Sequence, residues 1–549
     1  MVLARIKTWM RLEWALLAVL LLAFIVRVVG VGYGLPLTVV ADETHFTFAA
    51  LKMLQLQTVV PALHPEAFQT ILPYPPYLSY LLLFPFAAVL GLKYLFWEGS
   101  TTLFEAHLVS DLSPFFLTAR LVSVILGTLS VFFVYRIAET LFRSRIAALA
   151  SGLLLATSIL HVALSMVGRN WLPVSFAFVL IFYVLTRDWS IKSRYLFAFI
   201  VAGLGMGVSS LSALFCIFIG LYYLLFDARS LRGMLTEVPR LSIGGLLFVA
   251  LAFIPSLLHQ GNAFVGSITF FGPKSLAEFF ISPWSAFSLI AYSEPVLLGA
   301  ASVGLVFLFA ERRRLATLVT AWTLLYIAIF YTVFRFDARF LLPLVPVCAL
   351  LAGYAVARVW NRTSAALILL VLLVPIGGAM RLSSLALQGD TREAAREWIL
   401  EHLTPDDKIL VFSSAMHVPT QKEAVAELRA IDPGAIRTIN ESDEVLDRED
   451  VPYALNNLTS VSDRAFARDL AEYARRQRYS YFLVEPRSMV EYPEMREAFS
   501  GMIESADLVA EFSGFGDYTS IYSSAFTESL ATLFEQKSLG PDIFIYQFR

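Results

Sequence analysis

The chain has 549 residues, of which 58% are hydrophobic and 16% charged, with a mean hydropathy of +0.68. Soluble domains sit nearer about 45–50% apolar, so a soluble globular protein is excluded, and many segments of about 20 apolar residues mark a polytopic helical membrane protein. The net charge of −2 hides an asymmetry: residues 1–385 carry 26 basic against 15 acidic residues, a net of +11, while 386–549 carry 16 against 29, a net of −13. A sparsely charged, basic membrane part therefore precedes an acidic, water-facing part, and no nucleic-acid partner is expected.

Arg5, Lys7 and Arg11 precede the first apolar span, about 14–33. This basic flank predicts a cytoplasmic N-terminus. The run is too long for a cleavable signal, and further spans follow it. The first outer loop, 34–75, then carries Asp42 and Glu43. Residues 43–57 have apolar positions at helical spacing and read as a short amphipathic helix lying on the membrane surface. Pro61, Pro65, Pro73, Pro75 and Pro76 stop anything longer.

Further apolar segments fall near 76–97, 114–136, 144–163, 171–187, 195–226 (two short spans around Ser209-Ser210), 242–258, 286–309, 315–334, 340–358 and 364–383. The expected total is 11–13 spans. Basic clusters at Arg136/Arg143/Arg145, Arg187/Lys192/Arg194, Arg229/Arg232/Arg240, Arg312–Arg314 and Arg358/Arg362 mark cytoplasmic loops. They put 161–170, 259–282, 335–339 and the tail after 384 on the outer face. Cys216 and Cys348 lie in apolar runs without metal-ligand spacing and read as small buried residues.

Residues 386–549 read as a separate extracytoplasmic α/β domain. Asp390 can cap a helix over 391–403, with Glu393 three residues on. Strands are predicted at 408–412, 479–484 and 542–548 and a helix at 462–478, an alternation that suggests a largely parallel sheet. The domain has no GxGxxG, P-loop or GxSxG motif. Ser413 and His417 share a loop, but nothing sets up a nucleophile. The domain is expected to cover the site or bind an acceptor rather than to perform chemistry.

Two adjacent carboxylates at the end of a first span are costly unless they sit in water or in a site, and an ionisable residue there is a functional hypothesis. A carboxylate can take the proton of an attacking hydroxyl. Cations on the same face can hold a phosphate; Arg120, Arg169, Lys274, Arg335 and Arg339 are the candidates. Plainer roles exist for several of these. Arg335 and Arg339 flank Asp337 as a loop ion pair would, Arg169 could anchor at the interface, and Lys274 has Glu278 at helical spacing. His161 and His259, near span ends, read as interfacial.

The order of these features carries a resemblance. A first span is followed by Asp42-Glu43-Thr44-His45, then by Tyr74-Pro75-Pro76-Tyr77 at the next span, then by Arg120 at the start of another. Arg339 precedes Phe340-Leu341-Leu342-Pro343-Leu344-Val345-Pro346. Over about residues 10–385 this layout resembles the GT-C membrane glycosyltransferases, in the branch holding protein O-mannosyltransferases and aminoarabinose transferases. The resemblance implies a GT-C-like helical bundle and an inverting transfer of a sugar from a polyprenyl-phosphate donor to a hydroxyl on a protein, glycan or lipid. Asp42 would be the catalytic base, and Glu43 its neighbour that orients the acceptor or tunes the base. His45, Tyr74, Arg120, Arg169, Arg335 and Arg339 would bind substrate.

Two departures from the family pattern stand out. Tyr74 replaces the His or Lys that precedes Pro-Pro in that branch. Gly168-Arg169-Asn170-Trp171-Leu172 carries no acid where many relatives have an aspartate. A metal site of two separated carboxylates is therefore not expected, although Glu43 and His45 could still hold a divalent metal. The alternative function is a lipid or solute transporter with an accessory outer domain. Against it stand the lack of an internal repeat and the few acids inside the spans.

Overall fold

The computed structural model describes residues 2–37, 39–40, 42–68, 71–72, 74–101, 104, 108, 111–228, 242–254, 284, 287–288, 290–333, 338–404, 406–412, 454–457, 470–486, 493–514 and 530–549. Apolar helices dominate up to residue 388. They are α1 (Val2–Val28), α2 (Glu43–Gln55), α3 (Tyr77–Leu95), α4 (Ser113–Phe142), α5 (Arg145–Ala156), α6 (Ile159–Ser165), α7 (Trp171–Leu185) and α8 (Ile191–Met206). There follow α9 (Phe215–Tyr222), α10 (Pro295–Glu311), α11 (Arg313–Val333), α12 (Val345–Val359) and α13 (Ala365–Gln388). Among the described residues, five helical stretches are each long and apolar enough to cross a bilayer. A sixth is added if α5 and α6, bent by 57° across their junction, form one span. The expected double segment 195–226 divides as predicted, with a turn at Ser210–Leu214 between α8 and α9.

The α5–α6 break frees backbone groups that must be paired inside apolar surroundings. Arg27, inside α1 and fully buried, reaches the break and donates to the Ala156 carbonyl at 2.9 Å and the Leu155 carbonyl at 3.2 Å. Its Nη2 also lies 2.8 Å from His161 Nδ1. On the other side of the break Ser158 caps α6, and Glu294 accepts the Ser158 hydroxyl at 2.7 Å and the Leu160 N–H at 3.0 Å. His161 is therefore wholly buried beside Arg27 and is not an interfacial residue.

Helix α2 ends near its expected boundary but does not lie free on a membrane surface. One side, through Phe46 and Ala50, packs on Leu78, Leu82 and Phe86 of α3 and on Phe115 and Ala119 of α4. Another, through Ala49 and Met53, packs on Phe68 and Leu72. Removing these side chains from water and lipid fixes the start of α2 against the first turns of α4.

After Gly389 the chain forms α14 (Thr391–His402), β1 (Lys408–Phe412), β2 (Ala454–Asn457), α15 (Leu470–Arg476), β3 (Tyr481–Val484), α16 (Pro493–Glu504), β4 (Ala506–Phe512), α17 (Leu530–Glu535) and β5 (Ile543–Phe548). Asp390 caps α14, and Glu393 completes the expected capping box. The sheet order is β2-β1-β3-β5-β4. One face, with Ile409, Val411, Leu483 and Ile545, packs on Ala395 and Ile399 of α14. The other, with Leu410, Phe412 and Phe482, packs on Leu470, Phe499 and Met502.

Only half of this sheet is parallel. β1 runs parallel to β2 and β3, but β5 is antiparallel to both β3 and β4. The expectation of a largely parallel sheet is corrected on this point. A parallel neighbour needs a crossover returning over the sheet. Here the preceding helix α17 packs against α13 instead, with Arg381 of α13 donating to the Leu533 carbonyl, and β5 enters from the opposite end.

Candidate active site

The site is built on the residue before α2. Asp42 adopts φ 64°, ψ −6°, a left-handed conformation that Asp tolerates better than most residues. Glu43 then begins the helix, and the two adjacent carboxylates point to different partners.

Glu43 is fully buried. Its oxygens receive Arg120 Nε at 2.8 Å, Arg120 Nη2 at 2.7 Å and the Gly168 N–H at 2.6 Å. Arg120, also fully buried, uses Nη1 to donate to the Tyr33 carbonyl at 2.6 Å and the Val31 carbonyl at 2.9 Å. Two charges taken out of water are tolerated when matched and hydrogen-bonded in this way. Gly168 is required by close approach: a Cβ there would lie 2.8 Å from the Ala119 Cβ and 2.9 Å from Glu43 Oε1.

Asp42 remains 30% exposed. Its Oδ2 accepts the Tyr74 hydroxyl at 2.9 Å and is ion-paired with Arg169. Among the described residues, Oδ1 receives no hydrogen bond. Tyr74 is stacked on Phe46, ring centres 5.2 Å apart, and leans on His45 at 5.8 Å. Burial, and then the Asp42 charge, push its phenol up to about 12, so it stays a donor. Arg169 and Arg339 both lie near the Trp171 ring, at 5.9 and 5.6 Å from its centre, and Arg339 also lies 5.3 Å from the Phe340 ring. Trp171 and Phe340 meet edge to face at 4.5 Å. Two guanidinium groups thus share one aromatic wall next to a half-open carboxylate.

The structure brings Asp42, His45, Tyr74, Arg169 and Arg339 into one neighbourhood, with Glu43 and Arg120 directly beneath. Two expected roles change. Arg120 is committed to Glu43 and two backbone carbonyls, so it does not face a donor phosphate. Glu43, with no exposed surface, does not orient an acceptor; it anchors the start of α2. Glu43 and His45 do not fit a shared metal site. Both Glu43 oxygens are occupied by donors, and His45 Nδ1 lies 3.1 Å from the Ile71 carbonyl. Among the described residues no cluster of three or more His, Cys, Asp or Glu is suited to a cation. Arg335, Lys274, Asp337, His259, Ser413 and His417 lie outside the described residues.

Sequence reasoning missed Gly168, whose glycine nature could have signalled a close backbone approach. It also missed Arg27, visible as a lone charge inside the first span, and Tyr33 with Asp390, which no local pattern links.

Residues 108–259 match the family described as dolichyl-phosphate-mannose-protein mannosyltransferase. Solved structures that match the chain include ArnT from Cupriavidus metallidurans in the apo state, at 13% identity and TM-score 0.45, with 98% of each chain covered. The same protein bound to undecaprenyl phosphate matches at 12% identity and TM-score 0.44, again with 98% of each chain covered. Arabinofuranosyltransferase AftD from Mycobacteria matches at 14% identity and TM-score 0.38, over 98% of this chain and 41% of that one. No curated protein matches the chain. The family match spans Arg120, Gly168 and Arg169 and covers somewhat more than a quarter of the chain.

Proposed function

We propose that this protein moves a sugar from a polyprenyl-phosphate donor to an acceptor hydroxyl, with inversion, on the outer face of the membrane. The observation that carries this reading is the asymmetry of the two acids: Glu43 is buried and fully paired, while Asp42 is half-open with Oδ1 left available among the described residues. The acceptor oxygen attacks the anomeric carbon and its proton passes to Asp42. The bond from that carbon to the phosphate oxygen breaks, and the phosphate leaves with added negative charge. Arg169 and Arg339, which share the Trp171 wall beside Asp42, would stabilise that charge. The donor class is supported by the family description, which names dolichyl-phosphate mannose. Sidedness is supported by the five basic clusters and by the contact of the acidic tail with Tyr33 at the end of the first span.

The test uses purified protein in lipid nanodiscs, given a polyprenyl-phosphate sugar with and without a hydroxyl acceptor. Asp42→Asn should lower donor turnover by about 10²–10⁴-fold while keeping the wild-type melting profile. Unchanged turnover in that variant removes Asp42 as the base. Absence of turnover with every donor in the wild type overturns the glycosyl-transfer reading and returns the transporter.

A further inference from the structure

We infer that Tyr33 and Asp390 are positioning residues, through which the segment after the last apolar helix holds the first loop in its working geometry. The inference rests on the reading of Asp42 as the base.

Tyr33 is 2% exposed and is used at both ends. Its carbonyl accepts Arg120 Nη1 at 2.6 Å, and its hydroxyl donates to Asp390 Oδ2 at 2.5 Å. Arg120 in turn holds both oxygens of Glu43, the residue next to Asp42. A continuous line of buried polar contacts therefore runs from the cap of α14 to the base, and its Tyr33–Asp390 link alone joins residues 357 positions apart.

The Asp390 end of this line is itself fixed. Its Oδ1 accepts the Arg392 backbone N–H at 2.9 Å and Nε at 2.7 Å, and its Oδ2 accepts Nη2 at 2.7 Å. The Thr391 N–H donates to the Leu539 carbonyl at 3.0 Å, and the Thr391 hydroxyl to the Pro541 carbonyl at 2.6 Å. Gly540, at φ +91°, presses so close that a Cβ there would meet Thr391 Oγ1 and Asp390 Oδ1. The segment leading into β5 thus clamps the cap, and the cap clamps Tyr33.

A purely structural contact would matter for folding alone. Here the last link in the line is the backbone that aims the base, and small errors in aim act on the chemical step. Tyr33→Phe removes one hydroxyl and leaves Asp390 with its three Arg392 contacts, so the protein should still fold. Its kcat for donor turnover should fall about tenfold, the size expected for losing one charge-assisted hydrogen bond, with donor KM unchanged. Arg120→Lys, which breaks the same line, should be non-additive with Tyr33→Phe in kcat. Arg358→Ala, which breaks the remote Arg358–Glu311 ion pair, should be additive with it.

Hydrogen exchange supplies a readout independent of any donor. Amides of the first turn of α2 should exchange about tenfold faster in Tyr33→Phe, with the melting midpoint kept. Unchanged exchange in that turn together with unchanged kcat overturns the positioning role. A wild type that turns over donor, and loses this in Asp42→Asn, leaves the proposed function standing whichever way Tyr33 reads. A wild type without turnover sinks that function, while exchange still decides the positioning.

Discussion

The buried Glu43–Arg120 pair can be tested as a closed unit. Arg120→Met removes the guanidinium and leaves a carboxylate with no exposed surface facing only the Gly168 N–H, a loss of about 3–5 kcal/mol. Glu43→Gln leaves three converging donors, two from Arg120 and one from Gly168, on a group with one acceptor oxygen, at a similar cost of about 3–5 kcal/mol. If the two losses were independent, the double variant would lose about 6–10 kcal/mol. The charge is absent from the double variant, however. What remains is the unpaired carbonyls of Val31 and Tyr33, worth about 1–3 kcal/mol each, a loss that Arg120→Met alone also carries and that cancels in the coupling. The coupling should therefore be at least about 3 kcal/mol. Unfolding midpoints by SDS titration in mixed micelles, measured on all four proteins, give this number. Single variants that each lose under about 1 kcal/mol, or a double variant equal to the sum of the singles within about 0.5 kcal/mol, would refute the view that this pair anchors α2.

Three further outcomes follow from the same geometry. Gly168→Ala should destabilise by about 1–3 kcal/mol, because its Cβ would press on the Ala119 Cβ and on Glu43 Oε1; a melting curve matching wild type would contradict this. Tyr74→Phe removes a donor to Asp42 and should lower donor turnover. Since the wild-type phenol is pushed up to about 12, the ratio of the two rates should stay flat from about pH 7 to 10; a ratio that drifts across that range would show Tyr74 titrating. Burial, then the nearby Asp390 charge, raise the Glu393 carboxyl to about 7. The folded state holds that proton more tightly than the unfolded chain, so its stabilising effect is complete below about pH 4.5 and is lost as pH rises through about 7. Wild type should accordingly lose melting temperature relative to Glu393→Gln between those values, and parallel curves would remove Glu393 as the cause.

That the chain is a polytopic helical membrane protein was legible because apolar runs of span length admit few alternatives. The Asp42-Glu43 position was legible for a related reason, since charge at a span end is conspicuous. The division of labour between the two acids was not. Adjacent residues differ in environment only through a backbone angle and through partners such as Gly168 and Arg120, 125 and 77 positions away. Arg120 could be placed near the site but not assigned a partner, because a lone arginine at a helix start fits a phosphate as well as a carboxylate. In the tail, the cap at Asp390 was readable from its spacing to Glu393. The direction of β5 was not, because it depends on where α17 docks rather than on the strand's own residues. Tyr33 carried no local signal, as its two contacts lie 87 and 357 positions away.

The left-handed backbone at position 42 has a consequence for what can occupy it. Positive φ is tolerated by glycine and, among residues with side chains, best by asparagine and aspartate. A proton acceptor at this point needs a carboxylate. The first filter removes glutamate as a comfortable substitute, and the second removes glycine and asparagine, so one letter of the alphabet passes both. Asp42→Glu would keep the charge but strain the turn and carry the carboxylate a methylene too far, whereas Asp42→Asn would leave the turn undisturbed. At this position conformation and chemistry are read by different substitutions, which makes the asparagine variant a probe of charge alone.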